Sequence, residues 1–288
     1  MEINGYTRMA AVLAHPIKHS LSPFIHNLAF ELTDENAVYL AWELEDEKML
    51  KQTINNVRTL DMYGLNISMP YKQKAVEFID ELSEEAQLIG AVNTIVNQKG
   101  KLIGYNTDGQ GFFSALNFKP RHKKITLIGG GGAAISIIVQ AALLEMQEIT
   151  VFARQSASYA PLEQRLKKLS QQTKITIRLY NLADRSRLQK EITTSDLLVN
   201  ATPVGMAGEA MPLPSSILLP PGILVVDTIY KVRETPLMKW AKSQERATMN
   251  GVGMLIHQAA TSFELWTGKK MPVEQIRQEL EEKDEVKC

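Results

Sequence analysis

The run "LIGGGGAA" at residues 127–134 constrains this chain more than any other stretch. It fits the pattern G-x-G-G-x-A, with glycines at 129, 131 and 132 and alanine at 134. Glycines directly after a strand let the backbone turn tightly and approach a pyrophosphate. The helix that follows offers free amide donors and a positive dipole end. A glycine run alone can also be a plain turn. Here a buried strand, "KITLI", precedes it, an apolar helix, "AISIIVQAALL", follows, and more strand–helix units continue downstream. That context predicts a dinucleotide-binding domain.

From this turn onward the alternation is regular. Strands are expected at 125–128, 149–153, 175–179, 196–200 and 223–227, with helices at 132–145, 161–171, 184–193 and 235–243. Two further helical patterns, 252–267 and 272–283, close the chain, and Pro272 suits the start of the second. The segment 203–221, with five prolines, reads as the longest irregular stretch. Upstream of Pro120 the pattern is looser. Strands are expected at 9–14, 38–44 and 65–68, with helices at 22–32, up to about 59, at 71–80 and at 82–88. "NTIVN" and "KLIGYN" flank Gln98-Lys99-Gly100 as a hairpin. The alternation argues for an α/β protein with a largely parallel sheet.

At 288 residues there is room for two domains, and 44% hydrophobic with 22% charged residues suffices for a sizeable core. Lys and Arg number 32, as do Asp and Glu, so no basic excess points to nucleic acid or to an anionic membrane. No apolar run reaches the roughly 18–20 residues that span a bilayer. "MEINGYTRM" lacks the charged-then-apolar form of a secretory leader, and the sole cysteine, Cys288, can form no internal disulfide. A cytoplasmic protein without nucleic-acid or membrane partners is expected, as a monomer or homodimer.

Four short polar motifs sit at strand ends of the first domain: "HSLSP" (19–23), "NISMPYK" (66–72), "GAVNT" (90–94) and "YNTDG" (105–109). Each has a plain explanation alone. Ser22-Pro23 can cap a helix, Asn106 and Asp108 can form turns, and Lys72 can be a surface lysine. Together they bring hydroxyls, amides, a lysine and a carboxylate to the outlet of one sheet, a mixture suited to a polyhydroxylated ligand. His15, His19 and His26 do not form a metal-ligand pattern, and no metal is expected.

These four motifs, in this order and ahead of the glycine turn, resemble the shikimate dehydrogenase family. "NATPVGM" (200–206), "DTIYKVRETPL" (227–237) and "NGVGMLIHQAATSFELWTG" (250–268) agree, so the resemblance covers nearly the whole chain. Ser68 in "SMPYKQ", together with "VYLAWELED" and "FELWTGK", resembles the quinate/shikimate branch. The resemblance implies an N-terminal mixed or parallel-sheet substrate domain (1–118) completed by C-terminal helices (250–288). It also implies a Rossmann-like doubly wound NAD(P)-binding domain (119–249), with a cleft between the two. The implied activity interconverts 3-dehydroshikimate and shikimate, and possible extension to quinate follows the branch. The implied alternatives are an enzyme chiefly for quinate and a non-catalytic sensor of the same build.

By the same resemblance, Lys72 and Asp108 are the catalytic pair. Ser20 and Ser22 face the substrate carboxylate, with Tyr39 beside them. Asn66, Ser68, Asn93 and Asp108 bind ring hydroxyls, while Tyr230 and Gln258 close the pocket. Gly129, Gly130, Gly131, Gly132 and Ala133 hold the pyrophosphate, Arg154 the adenosine end, Gly251 the nicotinamide side, and Thr202 also belongs to the cofactor set. The chemistry suits these residue types, because oxidising a secondary alcohol needs a hydride acceptor and a group that takes the hydroxyl proton.

The cofactor is the least determined element. Where a ribose-binding acid is usual, "VFARQSASY" (151–159) offers Arg154, no acid, and Ser156 and Ser158. One arginine with nearby hydroxyls can meet a 2′-phosphate and can equally stack on adenine. NADP is slightly favoured over NAD.

Overall fold

The computed structural model describes residues 2–285, so Cys288 lies outside the described residues. The chain forms two compact units, one of residues up to Gly111 and from Ile256 onward, the other spanning Phe112–Leu255.

The first unit is built on a six-stranded sheet in the order β2-β1-β3-β5-β6-β4. Its strands are β1 (Arg8–Ala14), β2 (Ala37–Glu43), β3 (Gly64–Ile67), β4 (Glu81–Leu82), β5 (Thr94–Gln98) and β6 (Lys101–Tyr105). β1 pairs in parallel with β2 and β3, whereas β5 runs antiparallel to both β3 and β6. The sheet is therefore mixed, as the resemblance allows for this unit. The β5–β6 reversal is made by the hairpin at Lys99 and Gly100, whose φ angles of 53° and 89° match the right-handed twist of the flanking strands. Ala11 and Leu13 of β1 and Leu65 and Ile67 of β3 share a buried cluster with Leu50, Ile54 and Val57 of helix α2 (Leu50–Thr59). The two-residue period of the strand turns Ala10 and Val12 to the opposite face.

Helix α1 (Ser22–Leu32) buries Ile25, His26, Ala29 and Phe30. Phe30 lies 5.4 Å, centroid to centroid, from Phe263 of a later helix (Val252–Thr267). That helix also sends Trp266 Nε1 to the Ile95 carbonyl at 2.9 Å. Gly64 makes room, since a Cβ there would sit 2.5 Å from the indole nitrogen.

The second unit reads β7 (Lys124–Ile128), β8 (Glu148–Ala153), β9 (Thr176–Asn181), β10 (Leu197–Asn200), β11 (Leu224–Asp227) and β12 (Ala247–Met249). All six are parallel, in the order β12-β11-β10-β7-β8-β9. Read from β9, this is the doubly wound order 3-2-1-4-5-6, with the strand order reversing between β7 and β10. Ligands of such sheets bind beyond the carboxyl ends of the strands at that reversal. The proline-rich segment 203–221 contains no helix or strand, yet Leu213, Ile217 and Leu219 are buried in the core formed by Ile128, Phe152, Leu198 and Val225.

Three local expectations change. The helix expected over 71–80 is a short 3-10 helix, Lys74–Phe78, followed by β4. Helix α4 (Asp108–Ser114), in "DGQGFFS", was not expected because two glycines weaken helix propensity. Burial of Phe112 and Phe113 overrides that preference. The three-residue β12 is too short to announce itself. Among the described residues, no helix is long and apolar enough to cross a membrane.

His26 is fully buried, stacked 4.3 Å from Tyr39, and neither ring nitrogen has a hydrogen-bond partner among the described residues. Burial holds its pKa down at about 3, against 6.5 when exposed. Unfolding therefore takes up a proton below pH 6.5, and stability falls as pH drops from 6.5 towards 3. At pH 5 the loss is about 2 kcal/mol. Replacing His26 with Phe should flatten the decline in denaturant midpoint between pH 7 and pH 5; a slope equal to wild type would show that His26 is not its source.

Candidate active site

The polar side chains of the first unit are placed by the ends of its strands. β3 ends at Ile67, and the chain then passes Ser68 and Lys72. β5 begins directly after Asn93, and β6 ends just before Asn106, Thr107 and Asp108. Asn66 and Thr94 oppose each other across the antiparallel β3–β5 ladder, so strand register puts their side chains on one face.

Lys72 Nζ donates to Asp108 Oδ2 at 2.6 Å, and the two side chains are 27% and 14% exposed. The other carboxylate oxygen accepts from Asn93 Nδ2 at 2.7 Å. Asn93 Oδ1 accepts from the Thr107 backbone N–H and the Thr94 hydroxyl, each at 2.9 Å. Asn66 Nδ2 donates to the Asn93 carbonyl (3.1 Å), Thr94 Oγ1 (3.0 Å) and Ser262 Oγ (3.2 Å), while its Oδ1 accepts from Tyr39 OH at 2.7 Å. Burial raises the Tyr39 pKa far above its ordinary value, a hydrogen bond from Ser22 opposing the shift, so the phenol stays a donor. Gln258 joins through its carbonyl, which accepts from Thr107 Oγ1 (3.1 Å) and Ser262 Oγ (3.0 Å). α4 comes this close to Gln258 because residue 111 is glycine; a Cβ there would meet the Gln258 backbone nitrogen at 2.4 Å.

Ser22, Tyr39, Asn66, Asn93, Lys72, Asp108 and Gln258 thus lie in one bonded cluster. Ser22 is not the cap of α1; Leu21 takes that place without a side-chain bond, and the Ser22 hydroxyl turns to Tyr39 instead. Ser20 Oγ accepts from the Ser22 N–H at 3.2 Å. Ser68 is half-buried and anchored through its backbone, its N–H donating to the Leu13 carbonyl at 2.9 Å. Thr94, Thr107 and Ser262 were not singled out from sequence. Thr94 and Thr107 sit inside motifs already noted, and Ser262 lies one helical turn after Gln258, a spacing that places both on one face.

In the second unit, Gly129 has φ +111°, and a Cβ there would meet Thr202 Cγ2 at 2.8 Å. Helix α5 (Gly132–Leu143) starts after Gly131 with no side-chain cap and no acid in its first turn. A Cβ on Gly131 or Gly132 would meet nothing within 4 Å, so these glycines border open space at the helix start, with Ala133 next in line. A Cβ on Gly130 would strike Leu162 at 2.3 Å. Thr202 follows β10, its hydroxyl donating to Asn200 Oδ1 at 2.7 Å. Asn200 in turn donates to buried Asp227, which also accepts from Thr235 Oγ1 and the Ile229 N–H. Gly251 donates to the Ile229 carbonyl at 2.9 Å. Tyr230 follows β11 and is 36% exposed. Arg154 is exposed directly after β8 and pairs with no other described residue, beside Ser156 and Ser158, whose hydroxyls are 2.9 Å apart. Among the described residues, no three His, Cys, Asp or Glu side chains gather as a metal site.

A doubly wound sheet opening on a glycine turn, joined in one chain to a unit presenting a lysine–carboxylate pair, is the construction of a nicotinamide-dependent oxidoreductase. The family model for the shikimate dehydrogenase substrate binding domain matches residues 12–95, and that for the shikimate 5'-dehydrogenase C-terminal domain matches residues 251–281. A shikimate dehydrogenase (NADP(+)) of Lactococcus lactis subsp. cremoris is 63% identical over 98% of this chain and 99% of its own length. The structure of shikimate 5-dehydrogenase from Listeria monocytogenes in complex with shikimate and NAD matches with a TM-score of 0.94. It is 41% identical, over 97% of this chain and 98% of that one. Quinate dehydrogenase from Corynebacterium glutamicum, in complex with NAD, matches at TM-score 0.84 and 26% identity, over 94% and 98%. The chain belongs to the shikimate dehydrogenase family.

Alanine at Gly129 should cost about 1–3 kcal/mol, because φ +111° and the Thr202 contact both oppose a side chain. Denaturant unfolding reads the loss, and nucleotide titration should show weaker binding. Wild-type values for both would mean that the turn tolerates a Cβ and the glycine is not required.

Proposed function

We propose that this chain reversibly reduces 3-dehydroshikimate to shikimate with NADP as the preferred cofactor. The observation that carries the reading is the Lys72–Asp108 pair, 2.6 Å apart and held by Asn93 in a cluster of amides and hydroxyls. The relatives named shikimate dehydrogenase (NADP(+)), at up to 64% identity, support the substrate and the cofactor. The quinate enzyme stands at 26%, which gives quinate the lesser place.

In the proposed reaction, Ser20 and Ser22 bind the substrate carboxylate, and Asn66, Ser68 and Asn93 bind ring hydroxyls. In oxidation, the proton of the reacting hydroxyl passes to the Lys72–Asp108 pair. In reduction, the Lys72 ammonium donates a proton to the oxygen as negative charge builds on it. Asp108 aims that ammonium, and Asn93 aims Asp108. Tyr230 and Gln258 complete the substrate set of this proposal.

The second unit fits a dinucleotide, since open space at Gly131 and Gly132 meets uncapped amides of α5. Gly129 to Ala133 would hold the pyrophosphate, Arg154 with Ser156 and Ser158 the adenosine 2′-phosphate, and Thr202 and Gly251 the remaining cofactor set. When bound there, the nicotinamide supplies the hydride acceptor or donor. A cytoplasmic setting and a monomeric or dimeric state belong to the same proposal.

Steady-state rates for shikimate and quinate against NADP and NAD test the reading. The highest kcat/KM is expected for shikimate with NADP; no shikimate oxidation with either cofactor would sink it. Lys72→Ala should lower kcat by roughly 10²–10⁴ while nucleotide binding holds. Arg154→Ala should raise KM for NADP about tenfold more than for NAD, as expected for one lost charge-assisted contact. Equal changes would mean that the guanidinium stacks on adenine.

A further inference from the structure

The Asn93 amide can point only one way. The Thr107 backbone N–H, a donor with no alternative chemistry, lies 2.9 Å from Oδ1. A flipped amide would set N–H against N–H there and oxygen against carboxylate at Asp108. A second group enforces the same direction. Thr94 Oγ1 accepts from Asn66 Nδ2 at 3.0 Å and donates to Asn93 Oδ1 at 2.9 Å. Thr94 is fully buried, on the strand face shared with Asn66, and has Ser262 Oγ 2.8 Å away. Donation therefore runs in one sense from Tyr39 through Asn66, Thr94 and Asn93 to Asp108.

We propose that Thr94 is a positioning residue: its buried hydroxyl joins the substrate-binding amide of Asn66 to Asn93, and through Asn93 sets the direction in which Asp108 holds Lys72. The inference rests on the dehydrogenase reading above. A hydroxyl is needed at this point because one atom must accept from one amide and donate to the next. Valine has the shape of threonine and can do neither.

The surroundings let this role be separated from folding. In Thr94→Val, Asn66 Nδ2 keeps the Asn93 carbonyl and Ser262 Oγ, and Ser262 keeps the Gln258 carbonyl. Asn93 Oδ1 keeps the Thr107 N–H. Asn93 also keeps the Thr107 hydroxyl, to which its Nδ2 donates at 3.0 Å; no named donor is stranded, and what is lost is the bond from Thr94.

The test is a double-mutant cycle of Thr94→Val with Asn93→Ala, read as kcat and KM for shikimate and for NADP. Thr94→Val alone should lower kcat/KM for shikimate roughly tenfold and leave KM for NADP within about twofold. Thr94→Ser, which restores the hydroxyl, should return to within about twofold of wild type. In the Asn93→Ala background, Thr94→Val should add nothing beyond about twofold, because the group it acts through is gone. If Thr94→Val does not fold, Thr94→Ala, which can neither accept nor donate, takes its place in the cycle. Losses that add across the cycle, or a wild-type rate in Thr94→Val, overturn the assignment. A wild-type protein that does not oxidise shikimate overturns the dehydrogenase reading and this inference with it; an active wild type with additive losses overturns this inference alone.

Discussion

A buried amide or hydroxyl has few protons to give, and how those protons are directed governs the first unit. The Thr107 backbone N–H fixes the Asn93 amide, and the Asn93 carbonyl does the same for Asn66. With both amides directed, Tyr39 must donate inward and Asp108 must accept from Asn93 and Lys72. A lysine and a carboxylate on the surface would be worth little and would wander. Held through buried Asn93, with Thr94 and Thr107 behind it, the same pair has one geometry. Backbone geometry is thus converted into side-chain direction two and three bonds away.

The second unit solves a different problem with different means. Where the first spends side-chain amides and hydroxyls, the second withholds side chains at Gly131 and Gly132, so that backbone N–H groups remain available. Asp227 shows that it can also build a satisfied polar knot. Three donors converge on a fully buried carboxylate whose pKa burial raises, and they tie the ends of β10 and β11 together. Thr202 and Tyr230 follow those two strand ends.

Much of this was legible in the sequence because the strongest signals were local. "KITLI" before four glycines, and Lys99-Gly100 between alternating strands, carry their own geometry. What was not legible depends on partners distant in the chain. "DGQGFFS" reads as a poor helix until Gly111 is seen to admit the backbone of Gln258, 147 positions later by number. "YKQKAVEFID" reads as a helix, yet the chain needs a short turn there to reach β4 beside β6. Thr94 and Ser262, 168 residues apart, are each an unremarkable hydroxyl alone. Their role exists only in the bonded cluster, where no periodicity or composition could show it.

The first unit is discontinuous, taking residues up to Gly111 and then those from Ile256 onward. A ribosome therefore releases every residue of the glycine-turn unit before it delivers Ser262, Phe263 and Trp266 to the sheet made first. Until then Asn66 and Thr94 lack one hydroxyl neighbour, Phe30 lacks its aromatic partner, and the Ile95 carbonyl lacks its indole donor. Domains generally mature from the N-terminus as synthesis proceeds. Here the order is inverted: of these two units the one begun first is finished second, and its polar cluster becomes whole only after the glycine-turn unit has been synthesised.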